Sequence, residues 1–160
     1  MRLLLCLSLI FTPATVVAAP PSRYEPVVRQ ILNAWKTADV VCLGEDHGRF
    51  YDSELRIAVV QHPDFPRIVR LIVVEWANPV HQDMLDSFIL EGTAMSREEL
   101  APVWRDANGA EVWESPIYEQ FLRAVREVNL INAPFIKQGF VGHDKRSHAR
   151  NRRFTSPRAR

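Results

Sequence analysis

Val40-Val41-Cys42-Leu43-Gly44-Glu45-Asp46-His47-Gly48 is the stretch on which the reading of this chain turns. A short apolar run rich in β-branched residues stops abruptly at a glycine and delivers three ionisable groups to a turn, the pattern of a buried strand with a polar end. The pattern recurs in simpler form at Ile68-Val69-Arg70-Leu71-Ile72-Val73-Val74, which runs straight into Glu75-Trp76-Ala77-Asn78. The spacing predicts a strand from about Asp39 to Gly44, a helix from Asp52 or Ser53 to about Gln61, and a second strand from Ile68 to Glu75. Leu55, Ala58 and Val59 form the buried stripe of that helix, and His62-Pro63-Asp64-Phe65-Pro66 ends it. Strand, helix, strand reads as a βαβ crossover with parallel strands. Such crossovers are almost always right-handed, and parallel strands share one C-terminal edge. Glu45, His47 and Glu75 are therefore expected on one rim, where open α/β sheets place their ligands.

The expected class is thus α/β, a parallel-sheet domain with a βαβ core and flanking helices. Upstream, Val27, Val28, Ile31, Leu32 and Trp35 give Tyr24 to Lys36 a helical period, with Pro26 harmless near its start. Downstream, Pro79 opens a helix through Val80, Met84, Leu85, Phe88 and Ile89 that Gly92 terminates. Ser96 and Glu99 stand in capping-box register for a helix to about Val103. Ser115-Pro116 starts another, with Ile117, Phe121, Val125 and Val128 as its stripe. Beyond Asn129 the pattern fades, and Phe140-Val141 is the one apolar pair left that a third strand could use.

The ends carry different messages. Met1-Arg2, the apolar run Leu3 to Phe11 and the small residues around Ala18 read as a signal peptide over residues 1–18, cleaved after Ala18. That predicts an exported protein, periplasmic or extracellular, with no stable membrane span once the signal is removed. Removing the signal takes Cys6 with it and leaves Cys42 alone, read as a small buried strand residue. Residues 19–132 form the expected domain. Net charge is +1, yet residues 137–160 hold eight Lys/Arg against one acidic residue, while the preceding 136 hold twelve against eighteen. Residues 133–160 are read as a basic disordered tail. With no aromatic interleaving and no nucleic-acid module, no nucleic-acid partner is expected of it.

A histidine beside one or two carboxylates can hold a water and take its proton, which assigns Glu45, His47 and Glu75 as the catalytic candidates. His47 and Glu45 could instead serve as metal ligands, since imidazole and carboxylate together suit zinc or iron. Asn78, Gln82 and Asp86 recur every four residues beside Glu75. Asn78 and Gln82, with Arg105 of the Trp104-Arg105-Asp106 segment, are the candidate ligand-binding residues. His62 and His81 are read as surface histidines.

Leu43-Gly44-Glu45-Asp46-His47-Gly48, with Val73-Val74-Glu75-Trp76-Ala77-Asn78 and Gln82, resembles the superfamily of erythromycin esterases, ChaN-like haem-binding uptake lipoproteins and TraB/Tiki proteins. Within it the chain is most similar to exported bacterial proteins of the ChaN/erythromycin-esterase type, over roughly residues 39–129. The resemblance implies an α/β fold with Glu45, His47 and Glu75 at the sheet edge, and haem or a divalent metal as the cofactor such relatives take. Erythromycin esterases separate the first glutamate and histidine by two residues. Here only Asp46 intervenes, the shorter form of the haem-binding and metal-dependent protease members. Such proteins also continue with further strands and a later acidic motif, so the chain reads as an incomplete copy of a larger fold. Its residues 133–160 are then out of frame after a truncation or frameshift. Three functions are expected in turn: an exported hydrolase of unknown substrate; a haem- or metal-binding uptake protein with His47 as ligand and a small molecule or haem as partner; an inactive fragment.

Overall fold

A computed structural model describes residues 23–132 and the backbone of 139–142. The signal reading at 1–18 lies outside these residues, as does most of the tail. Among the described residues eight helices and two short strands follow in the order α1 (Glu25–Ala34), α2 (Phe50–Gln61), α3 (Phe65–Ile68), β1 (Leu71–Val74), α4 (Gln82–Asp86), α5 (Arg97–Leu100), α6 (Pro102–Arg105), α7 (Ala110–Trp113), α8 (Pro116–Asn132) and β2 (Gly139–Gly142). A 3-10 turn at Pro79–His81 leads into α4, and a π-helical turn at Ser87–Glu91 follows it.

The parallel-sheet expectation is overturned. Across residues 23–132 helix accounts for 62% and strand for 4%. Among the described residues the run from 40 to 44 joins no ladder: Val40 is 75% and Leu43 41% exposed, and Cys42 is exposed rather than buried. Of the second expected strand only Leu71–Val74 pairs in a ladder, because Phe65–Ile68 closes a helical turn with Pro66 in its first turn, a position that tolerates the missing N–H. β1 pairs in parallel with β2, Leu71 opposite Gly139 and Val74 opposite Gly142. The Phe140-Val141 pair therefore lies in a strand inside the segment read as tail. Two strands of four residues are too little sheet to organise a domain. Helices do so instead.

α8 is the axis of the core. Its stripe of Ile117, Phe121, Val125 and Val128 is buried, as the 3.6-residue period requires, and Tyr118, Leu122 and Ala124 widen it. Around it pack Val28 and Leu32 of α1, Val59 and Val60 of α2, Phe65, Leu85, Phe88 and Ile89, Leu100, and the tryptophans Trp76, Trp104 and Trp113, in one continuous cluster. Helix ends follow local chemistry. Ser96 and Glu99 form the reciprocal capping box. Pro102 then divides the expected Ser96–Val103 helix into α5 and α6. Gly92 ends the π-helical turn with φ +78, a left-handed conformation, and an added Cβ would meet Leu130 Cδ2 at 2.7 Å. Carbonyls left open at this end are taken by α8, with Asn129 Nδ2 donating to Ile89 O at 3.1 Å and Arg126 to Gly92 O at 2.5 Å.

α2 starts at Phe50, ahead of the expected Asp52 or Ser53, after an Arg49 that offers no side-chain cap. Asp52 is occupied elsewhere, accepting the Asp46 N–H at 3.0 Å. The α2 face turned to the core carries Ser53, Val59 and Val60, with Leu55 and Ala58 half-buried beside it. Among the described residues no helix is long and apolar enough to cross a membrane.

Candidate active site

The turn after Gly44 is built by a hydrogen bond from Arg49 N–H to Asp46 O at 3.0 Å. Gly48 sits in its third position with φ +78, which a side chain would strain. The Gly48 N–H donates to the Tyr118 hydroxyl at 3.1 Å, so α8 holds the turn from beneath. His47 leaves this turn toward Glu75, which follows β1. The edge of its ring contacts Trp113 of α7, with centroids 4.7 Å apart and planes at 72°. Trp113 and Trp76 each pack against the Tyr118 ring at 5.2 Å.

His47 lies between the two glutamates. Its Nδ1 is 3.1 Å from Glu45 Oε1, and its Nε2 is 3.6 Å from Glu75 Oε1. The carboxylates differ in setting. Glu45 is 9% exposed, whereas His47 and Glu75 are 47% and 57% exposed. Buried Glu45 is matched by Arg56 of α2, itself 13% exposed, whose guanidinium bonds Glu45 Oε2. The Tyr118 hydroxyl donates to Glu45 Oε1 at 3.0 Å. A charge this deep persists only when paired and hydrogen-bonded, and Glu45 has both. Burial pulls the Arg56 guanidinium below its ordinary pKa and pushes the Tyr118 phenol above its own.

The two candidate carboxylates are therefore one buried anchor and one exposed partner on opposite nitrogens of the same ring. That placement also bears on metals. Glu45 binds the Nδ1 side while Nε2 faces Glu75, so Glu45 and His47 do not converge on one ion as the ligand pair the sequence suggested. Among the described residues no group of three His, Cys, Asp or Glu side chains is arranged to hold a metal. The imidazole nitrogen not turned to Glu45 is faced by the exposed Glu75 carboxylate at 3.6 Å.

The other expected ligand-binding residues have local partners. Asn78 caps the 3-10 turn, accepting the Val80 N–H at 3.0 Å and donating to Asp106 O at 2.7 Å. Gln82 donates to Asp86 one helical turn on, at 2.8 Å. Arg105 lies in a surface ion network, 2.7 Å from Glu114 and 2.9 Å from Glu98. None of these contacts involves Glu45, His47 or Glu75. His62 and His81 are less exposed than a surface reading implies. His62 Nδ1 accepts the Asp64 N–H at 3.1 Å, and His81 Nε2 is 2.5 Å from Asp106 Oδ2.

The Arg105 network makes a pH prediction. Arg105 first, then the Trp104 indole N–H, hold the Glu114 carboxyl down at about 2 from its ordinary 4.5. A carboxyl depressed by folding contributes stability above its unfolded value and loses it as pH falls through the folded one. Glu114→Gln should therefore flatten the acid limb of the stability curve between pH 4.5 and about 2, read by urea unfolding across that window. An acid limb identical to wild type would show that the network contributes nothing.

Arg56 and Tyr118 were missed at the level of sequence. Arg56 left one trace, a lone charge in the apolar run Leu55-Arg56-Ile57-Ala58-Val59-Val60, which in a buried helix demands a partner. Tyr118 left none beyond its place in the expected helix that Ser115-Pro116 starts. No family model, curated protein or solved structure matches the chain.

Proposed function

We propose that this protein is an exported hydrolase in which His47 activates water for attack on an ester or peptide carbonyl. One observation carries the reading: His47 is suspended between a buried, fully partnered carboxylate on Nδ1 and an exposed one beside Nε2. An ionised carboxylate only accepts, so the Nδ1 contact places the ring proton on Nδ1 and leaves the Nε2 lone pair facing Glu75. At 3.6 Å, Nε2 and Glu75 Oε1 are beyond direct hydrogen bonding and too close to hold a water between them, so the water is taken up beside the pair, on the open side where both side chains are about half exposed. In this arrangement Nε2 takes the proton of the water as it attacks. Glu45 stabilises the imidazolium that forms, and Glu75 orients the water and stands ready to shuttle the proton to the leaving group. The continuous core under the site supports a chain that folds and presents it.

Turnover of a panel of ester and peptide substrates tests the reading. Against any substrate cleaved by the wild type, His47→Ala should lose roughly 10²- to 10⁴-fold in rate, the usual contribution of a general base. Glu75→Gln should lose less, because it keeps the shape and one hydrogen-bonding oxygen. Hydrolysis that survives His47→Ala undiminished would remove His47 from the chemistry.

A further inference from the structure

We infer that Arg56 and Tyr118, neither of which reaches the substrate face, are positioning residues that fix the tautomer of His47 through Glu45. The usefulness of that tautomer rests on the hydrolase reading, but its existence does not. A neutral imidazole left to itself favours the proton on Nε2, which would turn a donor rather than a base toward Glu75. The preference is reversed by an acceptor held closer and more firmly at Nδ1 than Glu75 is at Nε2, here 3.1 Å against 3.6 Å. Glu45 is such an acceptor provided that it stays ionised and does not rotate.

Arg56 secures the first condition. Its Nη1 bonds Glu45 Oε2, while its Nε and Nη2 are buried with no hydrogen-bond partner. Two aromatic rings lie near it, with the guanidinium carbon 5.9 Å from the Tyr118 centroid and 5.6 Å from that of Phe121. A buried cation this sparsely partnered holds its counter-carboxylate in the charged form, because protonating Glu45 would strand the guanidinium in an apolar setting. Tyr118 secures the second. Its hydroxyl accepts the Gly48 N–H and so has its proton free to donate in one direction, to Glu45 Oε1. The same oxygen receives His47 Nδ1, so Tyr118 ties the turn that carries the histidine to the carboxylate that orients it. The charged groups facing the ring are thus Glu45 and Glu75, with Arg56 behind the first.

The tautomer can be read directly in the ¹⁵N-labelled full chain by long-range ¹H–¹⁵N correlation of the His47 ring, at a pH where the imidazole is neutral. The wild type should show the Nδ1–H form predominating. Arg56→Met and Tyr118→Phe should each shift the population several-fold toward Nε2–H, and Arg56→Lys, which keeps the charge, should retain the wild-type form. A residue that matters only for stability would move the unfolding midpoint and leave the ring signals of the folded protein alone. Should Arg56→Met fail to fold, Tyr118→Phe, which keeps the ring packed between Trp76 and Trp113, carries the decision: an unchanged tautomer there overturns the inference. A wild-type ring protonated on Nε2 overturns it outright. The Nδ1–H form without hydrolysis of any substrate would sink the hydrolase reading alone. His47-dependent hydrolysis with an unresponsive tautomer would sink the positioning role alone.

Discussion

Replacing Arg56 by methionine is expected to cost about 3–5 kcal/mol of folding free energy, the usual effect of removing one partner from a buried ion pair. The guanidinium is 13% and the Glu45 carboxylate 9% exposed, so solvent cannot step in for the missing charge. What remains is a buried carboxylate supported by Tyr118 and His47 alone. A loss of this size is a large share of the roughly 5–15 kcal/mol that holds a single domain together. Urea unfolding at neutral pH reads it as a fall in midpoint at unchanged slope. The double variant Arg56→Met/Glu45→Leu should recover much of the loss, because an apolar replacement of both partners leaves no stranded charge. A single-variant cost under about 1 kcal/mol, the value of an exposed pair, would mean that water reaches the site. The wild-type curve in the same experiment also addresses the inert-fragment alternative: a cooperative transition is expected from one continuous core, and a gradual slope would favour the fragment.

Trp104→Ala should cost a comparable 3–5 kcal/mol, for a different reason. The indole is among the largest fully buried side chains of the molecule, 1% exposed, and α6 is too short to refill the space it leaves. The substitution also removes two polar contacts at the rim. The indole N–H donates to Glu114 Oε2 at 3.1 Å, and the Arg97 guanidinium lies 5.2 Å from the ring centroid. Trp104→Phe, which keeps most of the buried ring and gives up the N–H, should cost clearly less. Equal losses in the two variants would assign the effect to the hydrogen bond instead of the cavity. Intrinsic fluorescence and far-UV circular dichroism during thermal melts distinguish these outcomes.

Much of the helical framework was legible because its causes are local. The Ser96–Glu99 capping box and the left-handed stop at Gly92 act within one turn of chain. So does the Ser115-Pro116 start of α8, and the Ile117-Phe121-Val125-Val128 stripe follows from the helical period alone. The misreadings share one physical cause. An apolar run such as Val40-Val41-Cys42-Leu43 is a buried strand only if neighbours on both sides supply ladder bonds and cover its faces, and those neighbours are not encoded in the run itself. Here they are lacking among the described residues, and Val40, Cys42 and Leu43 are exposed.

The sequence by itself determined where the ionisable groups stand on the chain: Glu45 and His47 around one turn, Glu75 at the end of one short strand. Local backbone chemistry sets such positions. Only the tertiary structure decided what those groups are to one another. Glu45 became the buried anchor, and Glu75 stayed the exposed partner. That difference comes from Arg56, eleven residues along the chain, and Tyr118, seventy-three residues along, contacts that no local pattern announces. A buried charge is specified by whatever neutralises it, and that neighbour is chosen by packing rather than by sequence proximity.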